Sequence, residues 1–132
     1  MNNFDIGKCF FSLGNYQKAI DCFKLVPDNF DKYNDSLYFR AFCSVKLNQS
    51  REALRILKTL LNAGYRGYNE DFSCFIYNIG FLYCKLGYIK KAYLYMKYAL
   101  ACDNNSLEFI PNMLKVENIV LGIHKNRPVV QR

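Results

Sequence analysis

Apolar residues recur at steps of three and four along most of this chain, and polar breaks built on Gly, Asn or Pro separate the runs. That spacing is the period of helices packed on one face. A first helix is expected over about 2–13, with Ile6, Cys9, Phe10 and Leu13 on its apolar face, closed by Gly14-Asn15 because glycine accepts the left-handed conformation that ends a helix. A second runs from about Tyr16 to Leu25, carries Ala19, Ile20, Phe23 and Val26, and stops at Pro27-Asp28-Asn29. The third begins near Asp35 or Ser36, both good N-caps, packs through Leu37, Ala41, Ser44 and Leu47, and ends at Asn48. A fourth follows from Ser50 through Leu54, Leu57, Leu60 and Leu61 to Gly64. Helices five and six are expected over about 71–86 and 89–102, and a seventh over 107–124, with Pro111 either near its true start or in its first turn, where its missing N–H is tolerated. No stretch alternates apolar and polar residues for the length of a half-buried strand, so the expected class is all-α.

These helices repeat. Counting back 39 positions sets Gly80 on Ala41, Leu86 on Leu47, Gly87 on Asn48, Ala92 on Ala53, Met96 on Leu57 and Ala99 on Leu60. A further 34 positions lands on Gly7, Leu13, Gly14, Ala19, Phe23 and Val26. Each column keeps its physical type, and a fixed period of roughly 20–50 residues marks a helical repeat array. The small residues Gly7, Ala41 and Gly80 on first helices, and Ala19, Ala53 and Ala92 on second helices, are expected where the two rods of a pair cross. Phe23, Leu57 and Met96 would fill the next turn. The connection Gly64-Tyr65-Arg66-Gly67-Tyr68-Asn69 takes up the residues that lengthen the second period.

The pattern resembles the tetratricopeptide repeat. Ile6-Gly7, Phe10, Gly14, Tyr16, Ala19 and Phe23 carry it in the first repeat. Ile79-Gly80, Tyr83, Gly87, Ala92, Met96 and Ala99 carry it in the third, and Ala41, Ser44, Asn48, Ala53 and Leu57 in a weaker second. The resemblance spans about residues 2–103 and implies a right-handed α-solenoid. Its repeats would lie at about 1–33, 34–68 and 69–105, followed by a capping helix at 107–124 and a tail at 125–132. Met1 falls at the second position of the repeat, which fits either a piece of a longer array or a frayed first repeat. The family's late proline is missing from repeats two and three, and Pro27 comes early.

Composition narrows the chemistry. The chain has 132 residues, 52% hydrophobic and 22% charged, a globular balance. Its net charge of +7 favours acidic partners, but the lysines are scattered as on a solvated surface. Six cysteines occur at 9, 22, 43, 74, 84 and 102 without Cys-x-x-Cys spacing, and His124 has no Cys or His near it in sequence, so no metal or cofactor is expected. Reduced thiols point to the cytoplasm or nucleus. The N-terminus lacks the pattern of a secretory signal, and no apolar run reaches the roughly 18 residues of a membrane span. With no Gly-rich phosphate loop and no base beside any nucleophile, the expectation is a protein that is not an enzyme.

The resemblance implies a role in binding other proteins or peptides through the concave face lined by first helices. Those positions here are Phe4, Lys8 and Phe11; then Tyr38, Phe42, Val45 and Lys46; then Tyr77, Phe81 and Lys85. They make an aromatic trough with a lysine toward one edge of each layer, suited to an apolar or amphipathic segment. Members of the family that grip a chaperone's C-terminal carboxylate use Lys and Asn where this chain has Phe4, Lys8, Phe39, Cys74 and Asn78; only Lys8 and Asn78 could serve, so that ligand is not expected. A protein partner within a multi-subunit assembly, or a second copy in a homodimer, fits the trough, and no membrane partner is implied. Bulky aromatic usage resembles the scaffold subunits of the anaphase-promoting ubiquitin ligase, and a bacterial secretion chaperone with three such repeats is the other comparison. The rival reading is a pentatricopeptide-like binder of single-stranded RNA, from Ala63-Gly64-Tyr65, Tyr77-Asn78-Ile79 and Cys84-Lys85-Leu86-Gly87. Its base-reading positions would hold Asp5, Phe39 and Asn78, and Phe39 cannot hydrogen-bond a base edge. Nucleic acid is therefore the disfavoured partner.

Overall fold

The computed structural model describes residues 1–103 and 107–125. Its helices are α1 (Asn3–Ser12), α2 (Tyr16–Lys24), α3 (Tyr33–Lys46), α4 (Ser50–Asn62), α5 (Phe72–Lys85), α6 (Ile89–Cys102) and α7 (Ile110–Lys125), with short 3-10 turns at Tyr68–Glu70 and Leu107–Phe109. Among the described residues there is no strand. The expected tail falls, after Lys125, outside the described residues, and so does the His124 side chain.

The tight turns explain why the helices pair. Gly14, Asn48 and Gly87 all adopt left-handed φ, at 79°, 59° and 87°. In each case the next amide reaches back five residues, Asn15 to Phe10, Gln49 to Ser44 and Tyr88 to Tyr83, at 2.8–2.9 Å. This is the hydrogen bond that closes a helix on a left-handed residue. Asn2 and Asn15 cap the next helix starts, accepting from Asp5 N at 2.8 Å and Lys18 N at 3.4 Å.

The chain divides into two compact units, Met1–Asp71 and Phe72–Arg132. In the first, α1 packs on α2, α2 on α3 and α3 on α4. Phe4, Ala19, Ile20, Phe23, Val26 and Cys43 form one buried cluster, and Ala41, Ala53, Leu57 and Leu60 are buried where α3 meets α4. In the second, α5 packs on α6 and α6 on α7. Its buried residues include Phe75, Ile79, Leu82, Ala92, Met96 and Ala99, with Phe109, Val116 and Val120 from the last helical segments.

The crossings fall at the expected small residues. A methyl built on Gly7 would stand 2.5 Å from the Phe23 ring, and one on Gly80 would stand 3.1 Å from both the Ala92 carbonyl oxygen and Met96 Cγ. Two local expectations fail. On α1, Cys9 and Leu13 are exposed, while Phe4 and Gly7 are buried. The helix serves α2 and α3 together, so its inner face is turned from the stripe that the sequence offered. Helix α3 starts at Tyr33, before the anticipated caps, and Ser36 is buried in its first turn with its hydroxyl donating to the Tyr33 carbonyl.

Candidate functional site

The positions expected to line a trough fall in two sets, one in each unit. In the first unit they surround Phe39, which stood in the sequence only as a position unable to grip a carboxylate or a base edge. Phe39 lies 6.0 Å from Phe4, 5.7 Å from Phe11, 6.0 Å from Phe23 and 6.4 Å from Phe42, centroid to centroid. Tyr68, from the connection after α4, closes on it edge-on at 5.0 Å. Aromatic pairs favour such tilted and edge-on contacts. The α3 face is thus a built aromatic cluster rather than a row of independent rings.

This packing sorts the candidates. Phe4 is only 4% exposed and Tyr38 only 3%, so both belong to the interior and not to an open trough. Tyr38 is held between Phe42 at 4.7 Å and Tyr65 at 5.5 Å. Lys8, Phe11, Phe42 and Val45 are half-buried, and Lys46 is exposed. Lys8 lies over the Phe4 ring at 4.9 Å. Lys8, Phe11, Phe42, Val45 and Lys46 are the members of this set that keep some exposure.

The connection that carries Tyr65 and Tyr68 contributes its own polar anchor. The Tyr65 hydroxyl donates to Asp35 Oδ1 at 2.6 Å, and Lys32 Nζ stands 3.9 Å from Asp35 Oδ2. Burial, and then the hydrogen bond to Asp35, push the Tyr65 phenol well above its ordinary range, so it stays a donor. The polar recess beside it, about 510 Å³, is lined by Asp31, Asn34, Arg66, Asn69 and Glu70 among others. The sequence marked Tyr65 and Tyr68 only as parts of a connection, and Tyr65 as part of the rival motif; their spacing of three across Gly67, which has φ of 91°, was the signal for this anchor.

In the second unit Tyr77 is covered. Phe109 stacks on it nearly parallel at 4.2 Å, and Asn112 Nδ2 donates to its hydroxyl at 2.6 Å. The segment entering α7 therefore takes this position, which was expected to face a partner. Phe81 remains 38% exposed, with Lys85 Nζ 5.9 Å from its ring. Phe81 and Lys85 are the available pair on α5.

The carboxylate-gripping positions hold no converging donors in either unit. Phe4 and Phe39 face each other, and Asn78 Nδ2 lies 3.7 Å from Cys74 Sγ. All six cysteines are free, and burial pushes the Cys43 thiol up to about 11. Among the described residues no group of His, Cys, Asp or Glu is arranged to hold a metal ion, and no helix is long and apolar enough to cross a membrane.

No protein-family model matches the sequence, and no curated protein matches it. Solved structures do match in fold. The first tetratricopeptide domain of Spaghetti (RPAP3), bound to the HSP90 peptide SRMEEVD, is similar over 90% of this chain and 90% of its own, at a TM-score of 0.76 and 18% identity. The second such domain of human RPAP3, in complex with the HSP70 peptide SGPTIEEVD, matches 88% of this chain and 92% of its own, at 0.72 and 20%. The Sgt2 domain from Aspergillus fumigatus matches 98% and 85%, at 0.75 and 14%. The chain has the tetratricopeptide-repeat fold: three helix-turn-helix repeats, α1–α2, α3–α4 and α5–α6, followed by the capping helix α7.

Proposed function

We propose that this chain is a non-catalytic protein-interaction module whose first-helix faces receive a segment of a protein partner. The observation that carries this reading is Phe81, a large ring left 38% exposed on α5 with the Lys85 ammonium beside it. Phe42, Val45 and Lys46 offer the same combination of half-buried apolar surface and an exposed cation on α3. Large rings with partial exposure are the usual anchors of an interface, and a lysine at the rim selects carboxylates beside the partner's apolar residues. The fold supports the reading, since both RPAP3 domains hold a peptide. An amphipathic segment with acidic residues flanking its apolar anchors fits this chain, whether it belongs to a subunit of a larger assembly or to a second copy. Six free thiols favour a reducing compartment, cytoplasm or nucleus, as the place of action.

The test is affinity purification of the wild-type chain and of Phe42→Ala and Phe81→Ala variants from the source cell, with mass spectrometry of what each retains. Loss of a wild-type partner from either variant, at unchanged helicity, is the expected result. Retention of every wild-type partner by both would remove the reading. Salt-sensitive capture of single-stranded RNA in their place would bring back the rival one.

A further inference from the structure

Helix α6 carries a second surface that the first-helix faces do not use. Its inner side is fixed by Ala92, Met96 and Ala99, all buried. Its outer side runs Lys90, Lys91, Leu94, Lys97 and Tyr98, all exposed, at the one-, four-, seven- and eight-residue spacing of a single helix face. Leu94 is 64% exposed and Tyr98 50%, one turn apart, and Tyr88 at the helix entry is 47% exposed. Residues 72–102, which make up α5, its turn and α6, contain four lysines and no Asp or Glu. From α7, which packs on α6, Glu117 is engaged by the Tyr93 hydroxyl at 3.1 Å. Among the described residues no ion pair forms on Lys90, Lys91 or Lys97; Lys91 instead lies over the Tyr83 and Tyr88 rings at 5.5 and 5.8 Å. The outer face of α4 is built otherwise: there Glu52 pairs with Arg55 at 2.6 Å and with Arg40 at 3.8 Å.

We propose that this stripe docks an acidic amphipathic helix of a protein partner, with Leu94 and Tyr98 as the apolar seam and Lys90, Lys91 and Lys97 paired to carboxylates on either side of it. Charge complementarity selects the sign of the partner, and the apolar pair one turn apart selects a helix, because two rods pack along such a row. A bilayer suits it less. One Leu and two Tyr at a helix surface fall short of a lipid chain, which by itself anchors only marginally. Single-stranded RNA would find Tyr88 and Tyr98 to stack on, but it leaves Leu94, the most exposed side chain of the seam, without a partner.

The probe is a fluorescein-labelled synthetic peptide of about 18 residues, helix-forming, with leucines four apart on one face and glutamates flanking them. Anisotropy with the full chain should show saturable binding that weakens roughly tenfold between about 50 and 300 mM salt. Either L94S/Y98S or K90E/K91E/K97E should weaken it roughly tenfold or more. Both sets lie on the surface, so helicity and thermal midpoint serve as the folding control. Phe81→Ala should leave this binding unchanged, which separates failure here from failure of the first-helix reading. Absence of saturable binding, or binding that survives both variants, overturns the proposal. So does capture of phosphatidylserine vesicles or poly(U) in preference to the peptide, lost in the charge-reversed variant.

Discussion

Two residue types decide how this chain packs: glycines at the crossings and rings around Phe39. Gly7 was legible in the sequence as a column of small residues, and the reason is visible in the 2.5 Å that a methyl would leave to the Phe23 ring. That ring is itself buried and stacked on Phe39 at 6.0 Å, so it has little room to yield. Gly7→Ala should therefore lower stability by up to about 2 kcal/mol in urea unfolding, the difference between an overpacking cost of about 1–3 kcal/mol and a propensity gain of about 1 kcal/mol from replacing a mid-helix glycine. Gly80→Ala meets its neighbours at 3.1 Å and should cost less. Phe39 was not legible, since its column holds Asp5 and Asn78 and so shows no repeat signal. Cys43 marks another limit: the sequence showed a cysteine, and only the fold shows it fully buried with its thiol pushed up to about 11. A thiol with a raised folded-state pKa contributes stability that is full below the unfolded value of 9.0 and is lost as pH rises through 11. Unfolding measured across this window should show an alkaline loss on the order of 2–3 kcal/mol from this group. Cys43→Ala should flatten that part of the loss, and an unchanged alkaline limb in the variant would show that other groups cause it.

At the scale of the helix, polar breaks and periodicity placed the elements well but faced them less well. Gly14, Asn48 and Gly87 ended their helices as expected, since a left-handed residue leaves a compositional mark. Facing failed on α1 because one apolar period cannot say that a helix must satisfy two neighbours at once; Leu13, in a column that holds Leu in all three repeats, ends 79% exposed just past the last turn. The start of α3 failed because Lys32, without a side-chain cap bond, precedes its first turn. Asn48 offers the element-scale test. At φ of 59° it holds a conformation that costs a residue with an ordinary Cβ about 1–2 kcal/mol. Asn48→Ala should lower the free energy of unfolding by an amount of that order, while Asn48→Gly should leave it equal or raise it, given that glycine fills the same place at positions 14 and 87. Equal destabilisation by both would mean that the Asn side chain, and not its backbone angle, matters there.

For the whole molecule, fold and ligand separate cleanly. Residues at helix crossings and turns are constrained by packing, which is why a chain 14–20% identical to the solved domains shares their fold over most of its length. Residues on the first-helix faces are held by packing only in part, as at Phe4 and Tyr38, and the chemistry of the others has to be read one by one. The two RPAP3 domains hold peptides ending in EEVD. In this chain Phe4 and Phe39 pack against each other in the first unit, and Cys74 and Asn78 interact in the second, at positions where a carboxylate would need converging donors. Lys8 is the one cation among these positions, and its ammonium lies over the Phe4 ring. A solitary, partly exposed ion pair contributes about 0–1 kcal/mol, far below the roughly 8 kcal/mol of a micromolar complex. Calorimetric titration of SRMEEVD into this chain should accordingly show no saturable heat up to about millimolar peptide, and Lys8→Ala should change nothing. A micromolar complex abolished by Lys8→Ala would mean that the first-helix faces bind carboxylate tails after all, and the aromatic anchors Phe42 and Phe81 would then lose their assigned role.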